Sequence, residues 1–344
     1  MTTMMGSKAP VTASEGGMAA RMDVALSVIL ITPDDYGTIR DVVLCLRDQG
    51  GADRLELVIV APDRATLALD ERDLSGFGDW QVVEVGPIVT IGAAKLTAIR
   101  RATAPIVAFG EDHSFPEPGW AEAILAALAQ GHVAAGPAVR CGNPRTLLSW
   151  ANYLMHFGAW APEAVTAGSV TQLPWHNTSY RRDLLLAFGD RLPSLLAAEA
   201  RLQQELQDQG HSLYLAADAV TAHVNVSRWL PSLRGSFWGG RLYGSTRAQD
   251  AGWPVWKRIV YAGGSPLVPL IRVRRLRQTI GRAGQRRLIP GIFATLIPLL
   301  MAHAAGEAVG YLIGIGAAEE RYSFFEMRRI DHLCAADRAE FGRT

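Results

Sequence analysis

The sequence predicts an α/β fold: a mainly parallel sheet flanked by helices, followed by a helical region that is first basic and then apolar. Three observations predict it. Short apolar runs that read as buried strands alternate with stretches of helical spacing as far as Val139. One of these runs, 106–109, ends on Glu111-Asp112-His113 and a loop punctuated by Pro116, Pro118 and Gly119. The charge is also unevenly spread: the net value is +1, yet residues 228–287 carry thirteen Arg or Lys against a single acid, Asp250.

Taken in order, 24–31 is apolar but for Ser27, the first strand, closed by the turn Thr32-Pro33-Asp34-Asp35-Tyr36-Gly37. Residues 38–49 space Ile39, Val42, Val43 and Leu46 as one helical face, Gly50-Gly51 stop it, and 55–60 is the next strand. Strand, helix, strand implies a parallel βαβ unit with a right-handed crossover. A strand at 80–85, a helix at 92–102 with Lys95, the strand at 106–109, a helix at 120–130 and a strand at 132–139 complete the α/β part. In such sheets ligands bind outside the carboxyl ends of the strands. Glu111, Asp112 and His113 lie at such an end, and carboxylates with imidazole suit a divalent cation. A polar turn that merely closes the strand fits the local signal equally.

The three cysteines, Cys45, Cys141 and Cys334, are far apart and lack metal-ligand spacing, which argues for a reducing compartment and against a disulfide framework. Residues 1–22 lack a continuous apolar run and read as a disordered leader.

The order of elements resembles the GT-A fold of the family 2 glycosyltransferases, the inverting, sugar-nucleotide-dependent type. The resemblance is carried by Ser27-Val28-Ile29-Leu30-Ile31-Thr32, by Gly92-Ala93-Ala94-Lys95-Leu96, and by Gly110-Glu111-Asp112-His113 at the family's Asp-x-Asp metal motif. It continues through Pro116, Pro118-Gly119-Trp120, then His176-Asn177-Thr178-Ser179-Tyr180-Arg181-Arg182, and Glu199-Ala200-Arg201-Leu202 followed by Gly210 and His223. It implies a domain at 23–226 that binds a divalent metal, Mn²⁺ or Mg²⁺, through Glu111 and His113, and a nucleotide-diphosphate sugar through Thr32, Asp34, Asp63, Lys95 and Asp112. It further implies Glu199 as general base and Trp175, His176, Asn177 and His223 on the acceptor or substrate side. The chain departs from the pattern at Glu-x-His, which favours Mn²⁺, and at Ala61 and Ala198, where the family carries acids. For Lys95 a solvated helix lysine, for Trp175 core packing, for His223 a satisfied buried histidine and for Glu199 a favourable charge at a helix start are the ordinary alternatives.

In the second half, 227–287 interleaves its cations with Trp229, Trp238, Tyr243, Trp253 and Trp256, and 288–316 is apolar without Lys or Arg. The apolar stretch is long enough to span a bilayer, but Pro290, Pro298, His303 and Glu307 interrupt it. One span, two short helices broken near 303–306 and a buried helix pair all remain open. Cations beside an apolar run suit an anionic membrane surface better than nucleic acid, and 317–344 reads as a tail. The expectation is a membrane-associated glycosyltransferase on the cytoplasmic face of the cell membrane, acting on a saccharide or lipid-linked acceptor. The alternatives are a catalytically silent membrane-bound subunit and a sugar-1-phosphate nucleotidyltransferase; the latter is disfavoured because no Gly-rich phosphate loop follows the first strand.

Overall fold

The computed structural model describes residues 24–282 and 285–341; the leader expected at 1–22 lies outside them. Among the described residues, nine strands form one mixed sheet: β1 (Leu26–Ile31), β2 (Leu55–Ala61), β3 (Asp79–Glu84), β4 (Ile106–Phe109), β5 (Ser114–Pro116), β6 (Ala134–Cys141), β7 (Gly168–Val170), β8 (Ser179–Arg181) and β9 (Leu213–His223). Their order is β3-β2-β1-β4-β8-β6-β9-β5, with β7 also on β9. The first four strands are parallel, with Leu26 opposite both Leu55 and Ile106. β8 runs antiparallel to β4 and β6, whereas β9 runs parallel to β6.

The apolar runs follow from burial on both faces, and the two polar residues within them, Ser27 and Glu56, are buried against each other. Ile29, Val58, Val60, Val107 and Phe109 pack on one side with Ala94, Ala98 and Ile99 of the helix Ile91–Arg101. Leu26, Val28, Leu30, Leu57 and Ile59 pack on the other with Val42, Val43 and Leu46 of the helix Arg40–Arg47 and Ile124 of the helix Trp120–Ala129.

Of the three readings open for 288–316, the chain adopts one continuous helix, Ile289–Ile313, which runs through Pro298 without a break at His303. The glycines there serve packing. A Cβ on Gly306 would lie 2.0 Å from the carbonyl oxygen of Phe237, and one on Gly240 would lie 2.1 Å from that of His303. The helix Trp229–Asp250 therefore crosses it backbone against backbone, as small-xxx-small pairs allow. Ile289–Ile313 also buries His303 and Glu307, and Arg272 of the helix Val268–Arg282 reaches His303 Nε2 at 3.0 Å and Glu307 at 3.3 Å. By length and composition the stretch Arg286–Ile313 is apolar enough to cross a membrane.

The expected tail folds back onto the carboxyl ends of the strands. Its helix Ala318–Glu326, turn Arg329–His332 and helix Ala335–Phe341 are tied there by Arg328–Asp34 (3.0 Å), Asn143–Asp337 (2.8 Å) and the Phe115–Phe341 ring contact.

Candidate active site

β4 delivers the first half of the site. After Phe109 the chain leaves the sheet at Gly110, whose N–H still donates to Ile29 O at 3.0 Å, and Glu111, Asp112 and His113 follow before β5 begins. β5 pairs with the end of β9, placing Ser114 opposite His223. That register brings the rings of His113 and His223 to 4.8 Å, nearly perpendicular. Glu111 completes the cluster: Oε1 lies 3.7 Å from His113 Nε2, and Oε2 lies 3.7 Å from His223 Nε2.

Hydrogen bonding orients these ligand atoms. Nδ1 of His113 is 2.5 Å from Asp112 Oδ1, and Nδ1 of His223 is 3.1 Å from Asn225 Oδ1. Each acceptor keeps the proton on Nδ1 and turns the lone pair of Nε2 inward. Both Nε2 atoms are buried and have no hydrogen-bond partner among the described residues. Burial, reinforced by the charge of Arg329, holds His223 well below its usual range, so it is neutral and able to coordinate. Asn177 donates to Glu111 Oε2 at 2.9 Å and is itself fixed by Ser114 Oγ at 2.6 Å. One carboxylate and two imidazoles, within 4.8 Å of one another, fit a borderline divalent cation better than a purely hard one.

The second half is a sealed charge pair. Glu199 opens the helix Glu199–Asp208 and accepts from Lys95 Nζ at 2.6 Å. Lys95 is no solvated lysine: it is 3% exposed, with Nζ 4.0 Å from the centre of the Phe109 ring. His176 takes the left-handed conformation (φ 65°), which lets its own N–H reach Glu199 Oε2 at 3.0 Å while Nδ1 lies 3.4 Å from Oε1. Burial pushes Glu199 up, but the Lys95 charge and then His176 outweigh it and hold the carboxyl down at about 2. Burial and Lys95 depress His176, and Glu199 more than reverses them, so its imidazole is raised.

Two cavities adjoin the site; only the smaller touches both halves, and Glu199 lines neither. A small one of about 30 Å³ is lined by Lys95, Glu111, His113, His176 and Glu326; a larger one of about 440 Å³ by Asp34, Thr38, Arg328 and Phe341. Asp112 and Met327 line both.

Not every expected residue meets there. Thr32 is fully buried and stabilises the turn, accepting from Asp34 N and donating to Asp35 O, both at 3.2 Å. Asp63 caps the short helix Arg64–Leu67 through Thr66 N at 2.7 Å and lines neither cavity. Trp175 packs edge-on against Trp160 at 6.3 Å. Asp112, expected on the donor, lines both cavities and also holds His113 Nδ1, and burial pushes its carboxyl up. Sequence reasoning missed Asn225 and Glu326.

A mannosyltransferase from Pyrobaculum calidifontis, in complex with GDP-Man and Mn²⁺, superimposes with a TM-score of 0.50 over 86% of this chain and 90% of its own, at 16% identity. The fold is GT-A-like. S. aureus TarS 1–349 is also similar, with a TM-score of 0.48 over 85% of this chain and 90% of its own, at 16% identity. GalNAc-T7 with UDP, GalNAc and Mn²⁺ gives 0.45 at 12% identity over 58% of this chain, which spans only 44% of the GalNAc-T7 chain. A scan against protein-family models found no match. A search of curated proteins likewise returned none.

Proposed function

We propose that this chain is a metal-assisted, inverting glycosyltransferase that moves a sugar from a nucleotide-diphosphate donor to a hydroxyl acceptor and works at a membrane surface. The observation that carries the reading is the Glu111/His113/His223 cluster with its two inward, unpartnered Nε2 atoms, beside the Lys95–Glu199–His176 group. The GT-A-like fold, shared with a mannosyltransferase bound to GDP-Man and Mn²⁺, agrees with it.

Glu111, His113 and His223 would hold the cation, which supplies positive charge beside a departing diphosphate. Asp112 and Asn225 orient the imidazoles, and Asn177 orients Glu111. The larger cavity would take the nucleoside end of the donor; the smaller one, about 30 Å³, holds a water or two as it stands and would have to widen for the diphosphate, with Asp112 between. Glu199 takes the proton of the acceptor hydroxyl; the acceptor oxygen bonds to the anomeric carbon as the bond to the diphosphate breaks, and its electron pair leaves with the diphosphate. With Lys95 at 2.6 Å, Glu199 is a weak base. A diphosphate in the same cavity competes for Lys95, and as the ammonium turns towards it the proton affinity of Glu199 rises.

The membrane contact would be interfacial. The helix Val255–Gly264 exposes Val255 (72%) and Trp256 (67%), and its neighbour Val268–Arg282 exposes Leu270 (70%) beside the exposed Arg274, Arg275 and Arg277. An apolar face bordered by cations matches a bilayer surface with anionic headgroups. Burial of His303, Glu307 and Tyr311 against protein favours this docking over a span through Ile289–Ile313.

The second reading, a silent binding subunit, is favoured by one observation: the Glu199 side chain has no exposed surface. Incubating the full chain with a panel of nucleotide-diphosphate sugars, with and without Mn²⁺, separates the two. Mn²⁺-dependent release of nucleoside diphosphate from one donor supports the transferase, and Mn²⁺-dependent binding without any release supports the silent subunit.

A further inference from the structure

The neutral ring of His223 has one proton and two acceptors that compete for it. Asn225 Oδ1 lies 3.1 Å from Nδ1, and Glu111 Oε2 lies 3.7 Å from Nε2. A carboxylate oxygen is the stronger acceptor of the two. A proton drawn to Nε2 would block the atom that faces the cluster. Asn225 keeps the proton on Nδ1 only if its amide is held close and in one orientation.

Three segments of the chain hold it. Asn225 Nδ2 donates to His223 O at 2.8 Å, which leaves Oδ1 for the imidazole. Asn143, just after β6, grips the Asn225 backbone twice: Oδ1 accepts from Asn225 N at 2.7 Å, and Nδ2 donates to Asn225 O at 2.8 Å. The same oxygen accepts from Ser149 Oγ at 2.7 Å, and the same nitrogen donates to Asp337 Oδ2 at 2.8 Å. The Asn143 amide therefore uses both of its N–H groups and both lone pairs of its oxygen. Asn143, Asn225 and Asp337 are each at most 2% exposed. A satisfied network in a dry interior rigidifies what it touches.

Asp337 belongs to the helix Ala335–Phe341, 194 residues after Asn143. That helix is also held by Arg145–Glu340 at 2.8 Å and by the Phe115–Phe341 contact, so Asp337 is not its only anchor. Its carboxyl group is nevertheless fully buried, and Oδ1 has no hydrogen-bond partner among the described residues. A half-matched buried carboxyl costs stability, and the one bond that Oδ2 makes leads through Asn143 to the residue that orients His223.

We propose that Asn143 and Asp337 are positioning residues for the metal centre: they lock Asn225, so that His223 keeps Nε2 bare for the cation. The inference rests on the metal-binding part of the reading above.

Asn143→Asp sets an oxygen where the amide donated, against Asn225 O and Asp337 Oδ2. Adding Asp337→Asn returns a donor to the second of these contacts. Mn²⁺ is titrated calorimetrically into the full chain for wild type, N143D, N143D/D337N, D337A and E340Q. Asn143→Asp is expected to weaken Mn²⁺ binding about tenfold or more. The double variant should recover part of that loss, and Asp337→Ala should weaken binding several-fold. Glu340→Gln loosens the same helix at its surface and is expected to leave the affinity unchanged. The ring-nitrogen NMR signals of His223 in the metal-free chain, assigned with His223→Gln, give a second readout: protonation at Nδ1 in wild type, and partly at Nε2 in N143D. Wild-type affinity in folded N143D, no recovery in the double variant, or an equal loss in E340Q overturns the proposal. If N143D does not fold, unchanged affinity in D337A overturns it. Wild type that binds no Mn²⁺ overturns the metal reading instead, and the ring signals then decide separately whether Asn143 holds His223.

Discussion

Lys95 donates from Nζ to Glu199 Oε1 across 2.6 Å, and neither side chain keeps more than 4% of its surface in water. A carboxylate so enclosed is ionised only because of its partner. Lys95→Met is therefore expected to cost about 3–5 kcal/mol in urea unfolding, the cost of a buried unpaired charge. The Lys95→Met/Glu199→Gln double variant should recover most of it. Equal losses in the single and double variants would contradict the coupling.

Glu199→Gln keeps the shape and removes the proposed base. Transfer is expected to fall by about 10²–10⁴-fold, with the affinity for Mn²⁺ unchanged because Glu199 is outside the metal cluster. Initial rates on the active donor check this.

Acid should destabilise the fold in two stages. Burial holds His156 down at about 3 against an ordinary 6.5. Between those values the unfolded chain binds a proton that the native state refuses, so stability rises with pH across the window. Glu199, at about 2 against 4.5, acts in the same direction lower down: its stabilisation is present above pH 4.5 and is lost as pH falls towards 2. Each group contributes a slope of up to about 1.4 kcal/mol per pH unit in its window. Urea midpoints from pH 7 to 3 should show His156→Gln flattening the upper stage alone.

Gly306 faces Phe237 O with no room for a methyl group. Gly306→Ala should lower stability by about 1–3 kcal/mol through overpacking, although alanine favours helix. A raised melting temperature would mean that the two helices do not cross as described.

Arg274, Arg275 and Arg277 stand exposed beside Leu270 and Ile271. At about 1 kcal/mol for each cation near an anionic surface, the triple Gln variant should bind phosphatidylserine vesicles about a hundredfold more weakly. Sedimentation with neutral and anionic vesicles tests this; equal wild-type binding to both would remove the electrostatic argument.

The α/β half was legible because its strands are buried on both faces, so 24–31, 55–60 and 106–109 stand out as apolar runs interrupted only by Ser27 and Glu56. β5, β7 and β8, three residues each, are too short to show a period. Glu111 and His113 were legible from their place after a strand, but His223 as their neighbour was not, since only the β5–β9 register brings it there. Nor does spacing reveal that Glu326 returns to a site built from residues far earlier in the chain. The helix at 289–313 was ambiguous because glycines that break a helix and glycines that admit a neighbour look alike in a sequence.

The central claim is that Glu111, His113 and His223 bind a divalent cation. Calorimetric titration of Mn²⁺ into the full chain tests it most directly, alongside His113→Ala, His223→Ala and Glu199→Gln. One site is expected in wild type and in Glu199→Gln, lost in both histidine variants. Equal Mn²⁺ binding in folded His113→Ala and wild type, or none in wild type, would contradict it.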